Sequence, residues 1–446
     1  MREPHGGMAR LACMKRLLLT TSLLFAACTT ATDGPVRATA PPSPVTLDTD
    51  SVADASLDFG ARMMETVRAT ADDPDETILI SPASISTAFG LLYVGSEGDT
   101  QADIRKVMGF GPETDAFAAE LGGLARAVER DVADPYIEDR RTIVDINNAV
   151  FLDDTLDYTP GYLDRVSAAY DADFESVSFL RDKNAAIDRI NAWVKEKTRG
   201  LIETVYGYPD LSKETSDVLV NTIYMKAAWP GELSESVGPF TASGGSRDVP
   251  RVGNRAYYPH IDGNGFSALQ IPFSDPELAA VAILPDRSLN RLERRFDSEA
   301  MIGLLDEFET LDRDDWTYVD FHMPKLSIKG SYKMRDQLQA MGMVVPFDKN
   351  RSDFDGRLDP ANQPRRPNAT GIAVGNVTHK TVLDLDEIGV EAAAVTAIDS
   401  VVVTGIRNYS EPVDFHVDRP FLFMLIHRPT GAPLFLARVT DPGEVD

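Results

Sequence analysis

Residues 387–412 combine a helix-like composition with a strand-like periodicity. Glu391-Ala392-Ala393-Ala394 has a helix-forming composition. Yet Gly389 precedes it, and the β-branched run Val401-Val402-Val403 follows. Read with a period of two, one parity holds Val390, Ala392, Ala394, Thr396, Ile398 and Ser400. The other holds Glu391, Ala393, Val395, Ala397, Asp399 and Val401. Both charges fall on the second parity. A strand of this pattern can enter a sheet with its uncharged, mostly small face toward a core. An ordinary exposed connection with chance alternation looks the same, and the stretch by itself leaves both readings open.

Other chemistries find less support. The sequence contains no GxxxxGK[ST], GxGxxG or GxSxG, which weakens nucleotide-binding and α/β-hydrolase readings. The histidines, His5, His260, His322, His379, His416 and His427, are scattered. None forms HExxH or a Cys/His cluster, so no metal site is expected. The two cysteines are Cys13 and Cys28, so the body is expected to have neither a disulfide nor thiol chemistry. The formal net charge is −26. So negative a surface repels nucleic acid and anionic lipid, and neither is expected as a partner.

The amino terminus reads as an address. An apolar run, Leu17 to Ala27, follows Lys15 and Arg16. It is too short to span a bilayer as a helix but fits the middle of a signal peptide, with Met14 as the expected start. The run ends Leu24-Phe25-Ala26-Ala27-Cys28, which resembles the lipobox of bacterial lipoproteins, although Leu is usual where Phe25 stands. That resemblance implies a lipidated Cys28 as the first mature residue and a membrane met only through this anchor, at the periplasm or cell surface. An ordinary signal peptide cut nearby is the other reading. Residues 29–50 are rich in Thr, Ala and Pro and read as a disordered linker. The expected organisation is therefore 1–28 leader, 29–50 linker and 51–446 folded body.

Elements that would position the loop follow from pattern. Phe59, Met63, Met64 and Val67 fall on one helical face. Ile78-Leu79-Ile80 is a short strand, and Ser81-Pro82 caps and starts a helix that stops at Gly95. Residues 184–200 and 331–341 read as helices. Residues 217–226, 278–284, 317–328, 372–386, 413–417, 421–427 and 433–439 read as strands. Helices dominate early and strands late, which predicts an α+β fold.

Several segments resemble the serpin family in order and spacing. They are Ile80-Ser81-Pro82-Ala83-Ser84-Ile85-Ser86, Asn191-Ala192-Trp193-Val194, Leu219-Val220-Asn221-Thr222-Ile223-Tyr224-Met225-Lys226 before Trp229, and Pro324-Lys325-Leu326 before a helix at Tyr332. Val377-Thr378-His379-Lys380 then leads to Glu387-Ile388-Gly389-Val390-Glu391-Ala392-Ala393-Ala394. Last come Asp418-Arg419-Pro420-Phe421-Leu422-Phe423 and Leu434-Phe435-Leu436-Ala437-Arg438-Val439. The resemblance covers about residues 51–442.

It implies helices packed around a large central mixed β-sheet plus two smaller sheets, and an exposed reactive-centre loop at about 387–412. It implies a monomeric, cofactor-free suicide inhibitor of serine proteases with no catalytic residues of its own. A protease cuts the loop and forms an acyl-enzyme, and the loop then inserts into the central sheet and distorts the protease. The hinge is Glu387, Gly389, Val390, Glu391, Ala392, Ala393 and Ala394. Seventeen residues counted from Glu387 place the scissile bond at Val403–Thr404, which suits an elastase-like or subtilisin-like target. Val402 and Arg407 remain as alternatives. Ser81, Ser84, Asn221 and His379 match the cluster where the sheet parts. Trp229 and Lys325 match the region where the loop joins the sheet, with Lys325–Glu387 as an ion pair. Before cleavage Val390 is expected to lie outside the sheet. The competing expectations are a non-inhibitory serpin, an enzyme with an unrecognised triad, and an envelope binding protein.

Overall fold

Ser81 ends a three-residue strand and begins a helix. Its backbone is extended (φ −115°, ψ 98°), its Oγ accepts from the Ser84 N–H at 3.4 Å, and Pro82 fills the first turn. The helix Pro82–Val94 is apolar almost all round, which suits a rod buried beneath a sheet. The computed structural model describes residues 49–443 apart from 74, 134–140, 157, 171, 359–371, 376 and 391–410. Cys28, Glu391, Ala392, Ala393, Ala394, Val403 and Thr404 lie outside the described residues.

The described strands form three sheets, and this helix packs on the strand Ala432–Val439 of one and on the strands Asp217–Ala228 and Arg141–Asp153 of another. The six-stranded sheet runs in the order β1 (Ile78–Ile80), β17 (Ala432–Val439), β16 (Phe421–His427), β10 (Leu278–Pro285), β9 (Phe266–Pro272), β8 (His260–Gly263). β10, β16 and β17 are buried at every position, so both their faces are covered. The four-stranded sheet runs β15 (Val413–His416), β11 (Thr317–Pro324), β7 (Gly245–Tyr258), β6 (Ser234–Ala242). The seven-stranded sheet runs β12 (Leu326–Lys333), β13 (Thr378–Leu385), β14 (Gly389–Val390), β5 (Asp217–Ala228), β3 (Arg141–Asp153), β2 (Arg130–Ala133), with β4 (Ala172–Val177) parallel to β3. This is the α+β architecture expected: helices, one large mixed sheet and two smaller ones.

The two faces of the large sheet differ. Ile223, Met225 and Ala227 of β5 face the main core. Val218 and Val220, of opposite parity, pack in a second cluster beneath the helix Phe179–Lys197, which contributes Ile187, Ile190 and Trp193.

Two sequence expectations need correction. The run 317–328 is two strands, because the chain leaves the four-stranded sheet at Pro324 and joins the seven-stranded one at Leu326. The apolar parity shifts across the break, from Val319, Phe321 and Met323 to Leu326 and Ile328, and reading the run as one strand overlooks that shift. The expected helix over 331–341 is shorter, Arg335–Ala340. Tyr332 lies in β12, where its hydroxyl accepts from the Leu79 N–H at 3.1 Å.

Candidate functional site

Gly389 and Val390 are already part of the seven-stranded sheet. Gly389 faces Ala228, and Val390 lies between Ala227 of β5 and Leu385 of β13. Val390 is only 4% exposed and shares the main core with both neighbours. The expectation that Val390 sits outside the sheet in the intact chain is therefore wrong. The physical reason lies one residue earlier. Gly389 has φ +154°, and a Cβ there would come within 2.1 Å of the Ala227 carbonyl oxygen. Glycine allows the chain to pass this close to β5 and to wedge Val390 in.

The approach to this strand is moored on every side. Asp386 Oδ1 accepts from the N–H groups of Ile388 (2.8 Å) and Gly389 (3.1 Å), closing a tight Asx turn. The Trp229 indole donates to the Asp386 carbonyl at 2.9 Å, and its backbone N–H donates to the Ile388 carbonyl at 2.8 Å. Trp229 is itself fixed by stacking on Phe273, with ring centroids 4.5 Å apart. Lys325 Nζ lies 2.6 Å from Glu387 Oε2 and also reaches Glu235. Burial opposes the charge on Glu387, but hydrogen bonds from Lys325 and its own backbone outweigh this and hold the carboxyl below its usual range. The expected residues Trp229, Lys325 and Glu387 thus do meet at the base of the loop. Phe273, Glu235 and Asp386 complete the mooring and carry no signal in local sequence.

Beyond Val390 the sheet parts. Among the described residues β13 pairs with β12 and β14, and β5 pairs with β14 and β3, but β5 and β13 do not pair with each other. The gap opens into a cavity of about 1390 Å³. Ile85 and Phe89 form part of its floor, Leu219 and Asn221 part of one wall, and Val377 and His379 part of the other. Two strand edges that face a gap hold backbone groups able to pair with an incoming strand.

Under this gap the four expected polar residues converge in two linked pairs. His379 Nε2 accepts from the Ser81 N–H at 3.0 Å. Burial pushes the imidazole down to about 4, so it is neutral near pH 7. Ser84 Oγ donates to Asn221 Oδ1. The Asn221 amide donates to Thr87 Oγ1 at 3.1 Å and to Asn148 Oδ1 at 2.8 Å. Asn148 and Thr87 are additions to the expected cluster. Asn148 is detectable in retrospect as a polar residue among apolar ones in β3. The histidines, scattered along the chain, are not all scattered in space, since His322 and His416 are neighbours on β11 and β15.

Trp229, Lys325 and Glu387 at the base of the loop, and a polar cluster under the sheet, are arranged as the resemblance implied; the hinge strand already started in the slot is not. The serpin (serine protease inhibitor) family model matches residues 54–442. The chain belongs to the serpin family. Its similar relatives include Iripin-1 of Ixodes ricinus, 28% identical, with 88% of this chain and 95% of the relative covered. The leukocyte elastase inhibitor of Xenopus laevis is 27% identical, with 82% and 93% covered. Among solved structures, thyroxine-binding globulin in complex with thyroxine superposes with a TM-score of 0.71 at 26% identity, covering 88% of this serpin and 99% of that chain.

Proposed function

We propose that this serpin is a suicide-substrate inhibitor of serine proteases that inserts its cut loop between β5 and β13. It acts as a trap and catalyses nothing itself. Such strand addition, with release of stored strain, is the established behaviour of inhibitory serpins. The observation that carries the reading here is β14, a strand already begun between β5 and β13, which among the described residues do not pair with each other. At the register set by Gly389–Ala228 and Val390–Ala227, each later loop residue would face one residue earlier on β5. Ser400 would then meet Asp217, the first residue of β5, so the alternating segment matches the slot in length.

The parity fits as well. Val390 faces the main core, so Ala392, Ala394, Thr396 and Ile398 would follow it inward. Glu391 and Asp399 would face the opposite side. Extended against both walls, the register would bring Thr396 between Asn221 and His379. A hydroxyl would thus arrive where two polar side chains line the cavity and would avoid an unpaired buried polar group.

Val403 at the scissile position fits an elastase-like or subtilisin-like pocket. The similar protein from Xenopus laevis is named for elastase inhibition. Mixing with elastase is expected to leave an SDS-resistant complex, with a new amino terminus at Thr404 in the released fragment. A terminus at Asn408 with fast trypsin inhibition would move the site to Arg407. A second reading is favoured by the likeness to thyroxine-binding globulin, which its structure shows with thyroxine. This is the non-inhibitory serpin, for which the same mixture yields clipped chain and no complex.

The lipobox-like Cys28 supports export and a tether to the cell envelope. Cys28→Ser should move the exported protein from the membrane to the soluble fraction. Equal solubility of both forms would remove the anchor from this account.

A further inference from the structure

Three ligand-capable side chains that loop insertion does not use meet on one face of the four-stranded sheet. His322 on β11 and His416 on β15 are register partners, with ring centroids 5.1 Å apart. Asp320 projects from the same face of β11, and its Oδ1 lies 3.3 Å from His322 Nε2. One donor atom from each of the three falls within 4.8 Å of the others. The second oxygen of Asp320 accepts from Arg255 at 2.6 Å. That bond fixes the carboxylate, as outer partners do for ligating carboxylates. His322 Nδ1 and His416 Nε2 are both buried atoms without a hydrogen-bond partner. Buried polar nitrogens left unpaired are uncommon and call for an explanation.

We infer that Asp320, His322 and His416 form a binding site for a divalent transition-metal ion of the zinc class, which staples β15 to β11. Two imidazoles and one carboxylate are a donor set that zinc accepts, with a fourth position open to water. Metal–ligand bonds of about 2.0–2.1 Å in a tetrahedron set donor separations of roughly 3.3 Å. The contact of Asp320 Oδ1 with His322 Nε2 already has that spacing, and the unpartnered nitrogen that the ion would take up is His416 Nε2, brought in by side-chain rotation, while His322 Nδ1 stays outside the coordination. Imidazole donors disfavour magnesium and calcium. Arg251 and Arg255 add positive charge to this face, and Asp320 and Asp414 offset it.

The position gives the staple a consequence. β15 is a four-residue strand that, among the described residues, pairs only with β11, in parallel. Parallel pairs are slightly weaker per residue than antiparallel ones. A cross-strand metal would therefore hold the short strand that begins soon after residues 391–410. Neither the site nor its test depends on protease inhibition.

The test is calorimetric titration of the chelator-stripped full chain with zinc chloride, together with melting curves and the visible absorption of bound cobalt(II). One equivalent should bind, raise the melting temperature and give the cobalt spectrum of a low-symmetry site, while magnesium does neither. His416→Gln and Asp320→Asn should weaken zinc binding at least about tenfold, and His260→Gln, whose ring packs on Phe415 at the opposite face of β15, should not. Circular dichroism checks that each variant is folded. Arg255→Ala keeps all three ligands, frees only the carboxylate, and should weaken binding by roughly 10–100-fold. The inference is overturned if the wild type takes up no zinc, or if the folded His416 and Asp320 variants bind it as the wild type does.

Discussion

Cleavage between residues 400 and 407 should raise the melting temperature of this serpin by several degrees at least. A nicked loop in an ordinary protein gains no native contacts, so its melting point stays or falls. Here the released segment can run from β14 down the whole of β5. Each new ladder hydrogen bond contributes roughly 0.5–1.5 kcal/mol, and burying a side chain such as Ile398 adds about 1.5–3 kcal/mol. The ordering of the segment opposes this at about 1–2 kcal/mol per residue for the backbone. Two ladders form at once, one on each wall, so the bonds gained outnumber the residues ordered. For a chain this long each kcal/mol of net gain moves the midpoint by roughly 1 °C. Differential scanning calorimetry of intact and elastase-cut protein measures the change, and an unchanged or lower midpoint after cutting would argue against insertion.

Val390→Arg should convert the inhibitor into a substrate. Val390 is buried between Ala227 and Leu385, so the variant must either bury an unpaired charge or expel β14. Burial would cost several kcal/mol. Expulsion of a two-residue strand costs less, so the intact variant should fold with its hinge outside the sheet and melt slightly below the wild type. After cleavage the same charge stands at the mouth of the slot. A penalty of several kcal/mol on insertion corresponds to a slowing of roughly 100-fold or more relative to acyl-enzyme hydrolysis. The protease would then be released rather than trapped, and the stoichiometry of inhibition would rise steeply. A variant that inhibits with wild-type stoichiometry would falsify the requirement for an uncharged hinge.

Features set by local chemistry were legible in the sequence. Ser81-Pro82 marks a helix start because a hydroxyl cap and a proline in the first turn act over one turn. In residues 390–400 both charges fall on one parity, and of these residues only Val390 is among those described. Features set by packing were not. Whether Val390 lies in or out of the sheet depends on how near β5 comes to Gly389. The change of sheet at Lys325 leaves only a shift of apolar parity between Met323 and Leu326, which a β-bulge within one strand would leave as well. The polar cluster was partly legible: Asn221 and His379 stood out on family likeness, while Asn148 joined through the pairing of β3 with β5. His322 and His416 are far apart in sequence, and only the parallel pairing of β11 with β15 brings them together.

In the proposed mechanism the gap between β5 and β13 receives the cut loop. Amide hydrogen exchange in residues 217–226 and 378–385, before and after elastase cleavage, tests it most directly. In the intact protein the amides of these strands that point into the gap should exchange faster than those paired to β3 and β12. After cleavage the account predicts strong protection of the gap-facing amides on both strands, together with protection of residues 391–400. Exchange that stays as fast after cleavage as before, in loop and strands alike, would contradict it.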